Sequence, residues 1–194
     1  MRVGFLILLL QIPIISGFFF PARPAEFSRT VFDGRPELEF YWEAPPDIRI
    51  CNTSAVRPVD VRRATGYWER LGYRFGNIIV DDTSPSCLGV PQDGEILIME
   101  PESGFDFSKI AGTMCAVTTG TRSMAYAKIY MQNRHIRRPR VLEHEIGHAL
   151  GWLHSASSYH IMNAEWESGG SGSSGVGSFE YIRRSEELRK VNTN

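Results

Sequence analysis

The chain has 194 residues, 42% of them hydrophobic, and a formal net charge of −1 at pH 7. This length and composition fit one globular domain rather than two. The nearly balanced charge gives no reason to expect a nucleic acid as partner, and we expect a monomer.

The first 25 residues have the composition of an export signal. Arg2 is followed by an apolar run over residues 3–20, interrupted by Gln11 and Pro13. We predict a signal peptide at residues 1–25. The run is also long enough to approach a membrane span, so an uncleaved N-terminal anchor is the alternative. Both interpretations place the rest of the chain outside the cytoplasm, either secreted or tethered to a membrane.

Beyond the signal, residues 26–47 are rich in proline, glutamate and aromatic residues without a clear period, which predicts an extended lead-in or a short pro-segment. From there the hydrophobic periods alternate between those of strands and helices. We predict strands at 48–51, 78–80, 95–99, 111–119 and 125–131, and helices at 58–71 and 179–191. The strand at 78–80 is a continuous apolar run, so we expect it to be buried on both faces.

An exported chain with three cysteines leaves one unpaired if a disulfide forms. Cys51 and Cys87 both follow strands that we expect to be parallel neighbours, which would bring them to the same end of the sheet. The sequence leaves the pairing open, and this is the pair that we favour. Cys115 lies inside a predicted strand, so we expect a buried thiol rather than a nucleophile.

A histidine pattern late in the chain has the spacing of a metal site. His144 and His148 are four residues apart and lie on one helix face, so both imidazoles can reach one metal ion. Gly151 can end the helix with a positive φ angle, which lets His154 return as third ligand. Three imidazoles leave a fourth position open, as in catalytic zinc sites. Glu145, beside them, is the predicted general base toward a metal-activated water.

This pattern resembles the HExxHxxGxxH signature of the metzincin metallopeptidases at every fixed position. Met162, eight residues after His154, resembles the methionine of the turn that lies beneath the zinc in that family. Ser155 and the short interval before Met162 look like the matrixin branch. Other branches carry a tyrosine two residues after the methionine, where this chain has Ala164, so no fifth ligand is expected. The alternative is that the three histidines are ordinary surface or core residues.

The resemblance implies an α+β fold over residues 48–194. It would contain a twisted, mixed, five-stranded sheet, two long helices, the zinc helix at the cleft, and a small C-terminal subdomain with one helix. The strand at 111–119 would be the antiparallel edge strand above the cleft, where an extended peptide can pair with its free backbone. Thr113, Cys115 and Val117 are the candidate positions on that strand.

The implied function is a zinc-dependent endopeptidase that cleaves protein or peptide substrates with one catalytic Zn²⁺. Two alternatives stay open: a zinc hydrolase acting on a non-protein amide or a cell-wall peptide, and a zinc-binding module without turnover. Glu145 argues against the second, because a binding module needs no general base.

Three further features have both an ordinary and a functional interpretation. Asp81 and Asp82 could bind Ca²⁺, as matrixins often do, or form a solvated turn. Asp33 or Cys87 could act as a zinc ligand from a pro-segment, or lie in ordinary loops. The arginines of residues 137–140 could simply be solvated side chains before the N-terminus of the zinc helix, or they could recognise acidic substrates.

Overall fold

The computed structural model describes residues 34–81, 83–165 and 174–191. The signal segment predicted at residues 1–25, the first part of the predicted lead-in, Asp33, Asp82 and the glycine-rich stretch at 166–173 lie outside the described residues. None of the helices in the described ranges has the length and apolar character needed to cross a membrane.

A single five-stranded sheet forms the centre of this mixed α/β fold, with strand order β2-β1-β3-β5-β4. The strands are β1 Asp47–Ile50, β2 Ile78–Val80, β3 Glu95–Met99, β4 Ala111–Val117 and β5 Met124–Met131. The first, second, third and fifth strands pair in parallel, whereas β4 pairs antiparallel with β5. The prediction of a mixed five-stranded sheet is therefore confirmed, and β4 occupies an edge.

The prediction that residues 78–80 are buried on both faces is wrong. Strand β2 forms the other edge of the sheet, where β1 is the one described strand that pairs with it, and Val80 is 52% exposed. An apolar run of three residues is too short to distinguish a central strand from an edge strand, because that depends on which distant strands lie beside it.

Three α-helices accompany the sheet: α1 Pro58–Arg70, α2 Val141–Ala149 and α3 Ser178–Val191, with a short 3₁₀ turn at Asn133–His135 before α2. The predicted helices at 58–71 and 179–191 agree with α1 and α3 to within one residue at each end. Helix α1 buries Val61, Ala64 and Trp68, the stripe expected from three- and four-residue spacing.

Strand β3 separates two apolar clusters because its side chains alternate between the faces of the sheet. Ile96 and Ile98 join the main core with residues of α1 and α2. Leu97 and Met99 join a smaller cluster with Cys51. The two helices that frame the candidate site therefore pack on one face of the sheet, and the small cluster lies on the other.

Cys51 and Cys87 form a disulfide, which confirms the favoured pairing. The bond lies at the small cluster, against which Cys87 packs. Because the Cys87 sulfur is used in this bond, the interpretation of Cys87 as a zinc ligand from a pro-segment is wrong. Cys115 is free and buried, as predicted, and burial raises the pKa of its thiol.

Candidate metal centre

Helix α2 ends where the sequence predicted. Gly151 has φ 99°, in the left-handed region that glycine tolerates best. The N–H of Gly151 donates to the carbonyl of His148 at 2.8 Å, and the N–H of Trp152 donates to that of Gly147 at 3.1 Å. These two bonds form a Schellman motif, which satisfies the last helical carbonyls and reverses the chain. The reversal returns His154 toward the histidines of the helix.

The three predicted ligands converge. One ring nitrogen from each of His144, His148 and His154 lies within 4.8 Å of the others, and this is the only such group of three His, Cys, Asp or Glu side chains found in the described residues. The Nε2 atoms of His148 and His154 are 3.1 Å apart. The three imidazoles are therefore close enough to bind one metal ion.

Backbone carbonyls orient the two histidines of the helix. Nδ1 of His144 lies 2.6 Å from the carbonyl oxygen of Ile161, and Nδ1 of His148 lies 2.7 Å from that of Trp152. A carbonyl oxygen only accepts hydrogen bonds, so each Nδ1 carries the proton and each Nε2 keeps a lone pair for a metal. Hydrogen-bonded orientation of this kind is usual for metal-ligating histidines.

Burial keeps these imidazoles neutral. Desolvation is the main cause that lowers the pKa of His144 to about 4, and it lowers the pKa of His148 well below the ordinary value. Neutral imidazole is the form that binds metals. Three imidazoles within 4.8 Å of one another, two of them neutral and oriented by backbone carbonyls, are a donor set that fits Zn²⁺.

Glu145 is buried beside the histidines, and a residue of β4 donates a hydrogen bond to its carboxylate. The hydroxyl of Thr113 donates to Oε2 of Glu145 at 2.6 Å and lies 3.1 Å from its backbone carbonyl oxygen. Burial raises the pKa of Glu145 to about 7, and the hydrogen bond from Thr113 opposes that rise. A carboxyl group with a pKa near neutrality can both accept and return a proton.

The side chains at the three candidate positions on β4 lie in different surroundings. Thr113 contacts Glu145, and the Cys115 sulfur lies 3.5 Å from the carbonyl of His148, so both side chains turn toward α2. Val117 is exposed and follows a register shift after Ala116. From the sequence, Thr113 was predicted only as a position whose backbone could pair with a peptide substrate. Its contact with Glu145 joins residues 32 apart, and no local pattern could have predicted it.

Met162 is fully buried against the backbone of α2. A Cβ atom added at Gly147 would lie 2.7 Å from Cζ2 of Trp68 and 3.1 Å from Cε of Met162. Glycine within this helix thus allows Trp68 and Met162 to approach the backbone behind the histidines. The carbonyl of Met162 also accepts a hydrogen bond from the N–H of Ser155 at 2.7 Å, which connects the turn that contains Met162 to the residue after His154.

A segment that we call the strap, residues 34–42, runs beside the turn that carries His154. Glu37 accepts a backbone hydrogen bond from Leu153 at 2.8 Å, and Glu39 donates one to Gly151 at 2.9 Å. The indole of Trp42 donates to the carbonyl of Ala149 at 2.8 Å. The sequence predicted an extended lead-in here, but it contained no signal that this segment would fix the turn that carries His154.

No protein-family model matches the chain, and no curated protein sequence matches it.

Proposed function

We propose that this chain is a zinc-dependent endopeptidase of the metzincin type, closest in motif to the matrixin branch. The observation that carries the proposal is the convergence of His144, His148 and His154 within 4.8 Å, with Glu145 beside them on the same helix. A structural zinc site is normally closed by four protein ligands, whereas three imidazoles leave one position open to solvent or substrate.

In this proposal each residue has a defined task. The three imidazoles would hold the ion, with His144 and His148 kept in the correct tautomer by backbone carbonyls. Zinc in such a site supplies Lewis-acid activation of water and of a carbonyl group. Glu145 accepts the proton of the attacking water and later donates it to the leaving amine, while Thr113 fixes the orientation of its carboxylate.

Strand β4 supports a peptide as the substrate. Among the strands that the structure describes, β4 pairs with β5 on one side only, so its other side is an edge with backbone groups that are unpaired within the sheet. An extended peptide can add to such an edge through main-chain hydrogen bonds. Because Thr113 on β4 touches Glu145, a peptide docked along β4 would pass beside the proposed general base.

The disulfide supports export. Disulfides persist in oxidising compartments and are rare in the cytosol, so the bond between Cys51 and Cys87 agrees with a secreted protein or one tethered outside the cytoplasm. Such a location matches an endopeptidase that acts on extracellular proteins or peptides.

The deciding experiment compares Glu145→Ala with the parent chain on a peptide library. We expect turnover to fall by roughly 10²–10⁴-fold, because general acid–base assistance is lost, while one zinc per chain is retained. Glu165→Ala, which removes an exposed carboxylate just after the methionine turn, serves as matched control and should cleave like the parent. Hydrolysis by Glu145→Ala within tenfold of the parent rate would contradict the proposed mechanism.

The same experiment distinguishes the alternatives. A parent protein that binds zinc but cleaves no peptide in the library would be a zinc-binding module or would act on a different amide. Screening a cell-wall peptide and small amides in parallel, with and without a chelator, separates these two possibilities.

A further inference from the structure

A groove lined mainly by arginines lies between α1 and the residues that precede α2, and its cavity volume is about 490 Å³. Its charged lining residues are Arg62, Arg63, Arg70, Arg137, Arg140 and Glu143. We propose that this arginine groove binds an acidic segment of the protein substrate at a distance from the scissile bond. The inference rests on the proposed peptidase function and adds the class of substrate to it.

Helical spacing creates one wall of the groove. Arg62, Gly66 and Arg70 follow one another at four-residue intervals, so they lie on the same face of α1. Gly66 has no side chain, which leaves depth between the two arginines. Pro139 and the arginines at 137 and 140 form the opposite wall. The result is a concave strip rather than a scatter of exposed charges.

Two of the arginines are held in place by Glu143. Its Oε1 lies 3.7 Å from Arg63 and 3.5 Å from Arg140, and the Arg140 guanidinium also lies over the ring of Tyr67, 5.0 Å from its centroid. Arg63 also lies 3.6 Å from Asp60. Each guanidinium has five donors, so the one or two carboxylates beside it do not saturate it. Arg63 and Arg140 therefore form a fixed part of the groove that can still accept a further anion.

The other three arginines are available to a ligand. Within the part of the chain that the structure describes, Arg62, Arg70 and Arg137 have no carboxylate oxygen within 4.0 Å. The groove thus carries five positive side chains and one negative one, a formal balance of 5 − 1 = +4, although the whole chain has a net charge of −1. This local excess attracts an anionic partner.

The chemistry of arginine identifies the ligand groups. A planar guanidinium binds a carboxylate through two parallel hydrogen bonds, and the groove contains arginine without a single lysine. Arg62 and Arg70 are eight residues apart in α1, about 12 Å along the helix. An extended peptide rises about 3.4 Å per residue, so roughly four residues with alternating acidic side chains span this distance.

Glu143 favours a peptide over a more densely charged polymer or a membrane. Its carboxylate lies in the groove, and one of its oxygens, Oε2, is buried without a hydrogen-bond partner in the described residues. A sulfated polysaccharide or a lipid surface would bring closely spaced anions toward that charge, whereas a peptide brings neutral amide groups between its carboxylates. The groove is also concave, and a flat bilayer would meet only its rim. Glu143 directly precedes His144, which connects the groove to the metal-binding helix.

Binding is tested first, without hydrolysis. The intact zinc-loaded chain is titrated into a labelled hexaglutamate peptide at low salt, and fluorescence anisotropy is followed. We expect binding that weakens as salt is added and that falls at least tenfold in the double variant Arg62→Glu with Arg137→Glu. Arg74→Glu, an exposed arginine outside the groove, is the matched control and should bind like the parent. Circular dichroism and zinc content establish that the variants are folded.

Equal binding of hexaglutamate by parent and double variant would overturn the proposal. It would also be overturned if a heparin-type sulfated polysaccharide or vesicles containing phosphatidylserine bound through these arginines and hexaglutamate did not. Because this titration requires no turnover, its result is independent of whether the chain is a peptidase.

Cleavage then tests the role of the groove in substrate selection. Two peptides share one cleavable sequence, and one of them also carries a tail of four glutamates. In the parent we expect the tail to raise kcat/KM about tenfold through a lower KM, and in the double variant we expect the ratio to fall to about one. A tail advantage that survives in the double variant contradicts the proposal. A parent that cleaves neither peptide contradicts the peptidase function instead.

Discussion

At the scale of single residues, the proposed general base depends on one hydroxyl group. The carboxylate of Glu145 is buried, and Thr113 donates a hydrogen bond to it from β4 at 2.6 Å. Replacing Thr113 with Val keeps the shape of the side chain and removes the donor. We expect a loss of about 1–3 kcal/mol in the free energy of unfolding, because a buried acceptor is left without its partner.

The same substitution should also lower kcat/KM, by about tenfold, because the carboxylate loses its fixed orientation. Thr113→Ser retains the hydroxyl and should restore most of the activity. Urea denaturation and steady-state kinetics on one peptide measure both effects. If Thr113→Val matched the parent in both, this hydrogen bond would have no role in catalysis or stability.

Two features require glycine at position 151, a positive φ angle and a close approach to the strap, and their effects can be separated experimentally. Gly151 has φ 99°, and a Cβ atom there would lie 2.7 Å from the backbone carbonyl carbon of Phe40 in the strap. Gly120 has φ 76° but faces open space. Gly120→Ala should therefore cost only the strain of the left-handed conformation, about 1–2 kcal/mol.

Gly151→Ala should cost clearly more than Gly120→Ala, because the strap must also move away from the metal-binding turn. We expect weaker zinc binding in that variant as well, since His154 follows the turn. Thermal denaturation and a zinc titration of both variants provide the comparison. Similar losses of stability in Gly151→Ala and Gly120→Ala would show that the close contact with the strap does not affect the free energy of unfolding.

The convergence of the three histidines could be predicted from the sequence because it depends on local geometry. Four-residue spacing on a helix and a glycine after its last turn determine where His144, His148 and His154 lie. The contacts that orient them come from elsewhere: the carbonyl of Ile161 reaches His144, and Thr113 reaches Glu145. Contacts of this kind depend on how distant segments pack, which a spacing pattern does not contain.

At the scale of secondary structure, β4 is the element that should bind the substrate backbone. It lies at the edge of the sheet, and within residues 34–81, 83–165 and 174–191 it pairs with β5 alone. In a strand, alternate backbone amides point to the same side. A series of substrate peptides, each with one N-methylated amide, should therefore show reduced kcat/KM at every second position near the scissile bond.

Zinc content is not affected in that experiment, because the protein itself is unchanged. A uniform effect along the peptide, or no effect at all, would exclude docking by strand addition. The unmethylated peptide is the reference, and methylation far outside the cleft is the internal control.

The positions of the strands and helices could be predicted from the sequence, whereas the place of β2 in the sheet could not. Strand and helix positions follow from residues that are neighbours in the chain, and all five strands and both expected amphipathic helices occur where predicted. The burial of β2 on both faces was predicted wrongly, because among the described strands β2 pairs with β1 alone and lies at an edge. The strap has no clear hydrophobic period, although Leu38, Tyr41 and Trp42 are buried in the main core. Backbone hydrogen bonds of Glu37 and Glu39 attach it to the turn that carries His154, and a sequence pattern does not show such bonds.

At the scale of the whole molecule, the sheet separates the candidate metal centre from the disulfide. The main core contains residues of α2, whereas Cys51 belongs to the small cluster on the opposite face. Cys51 and Cys87 are 36 residues apart, so their bond should stabilise the fold by about 4 kcal/mol through the entropy of the unfolded chain. We expect reduction to lower the denaturation midpoint while zinc affinity in the folded protein stays the same.

The measurement is urea denaturation with and without a thiol reductant, together with a zinc titration under reducing conditions. Cys115→Ala serves as control, since Cys115 is free and its replacement leaves the disulfide intact. Loss of zinc binding on reduction, before any unfolding, would show that the two faces of the sheet are coupled.

The strap has a practical consequence for how this protein is produced. Its first described residue, Gly34, accepts a hydrogen bond from the hydroxyl of Ser155 at 2.5 Å, and Ser155 directly follows His154. Any peptide joined immediately before Gly34 is therefore tethered within a few residues of the metal-binding turn. A polyhistidine purification tag at that junction would place extra imidazoles where they compete for the ion, whereas the same tag after α3 is joined to a different part of the fold.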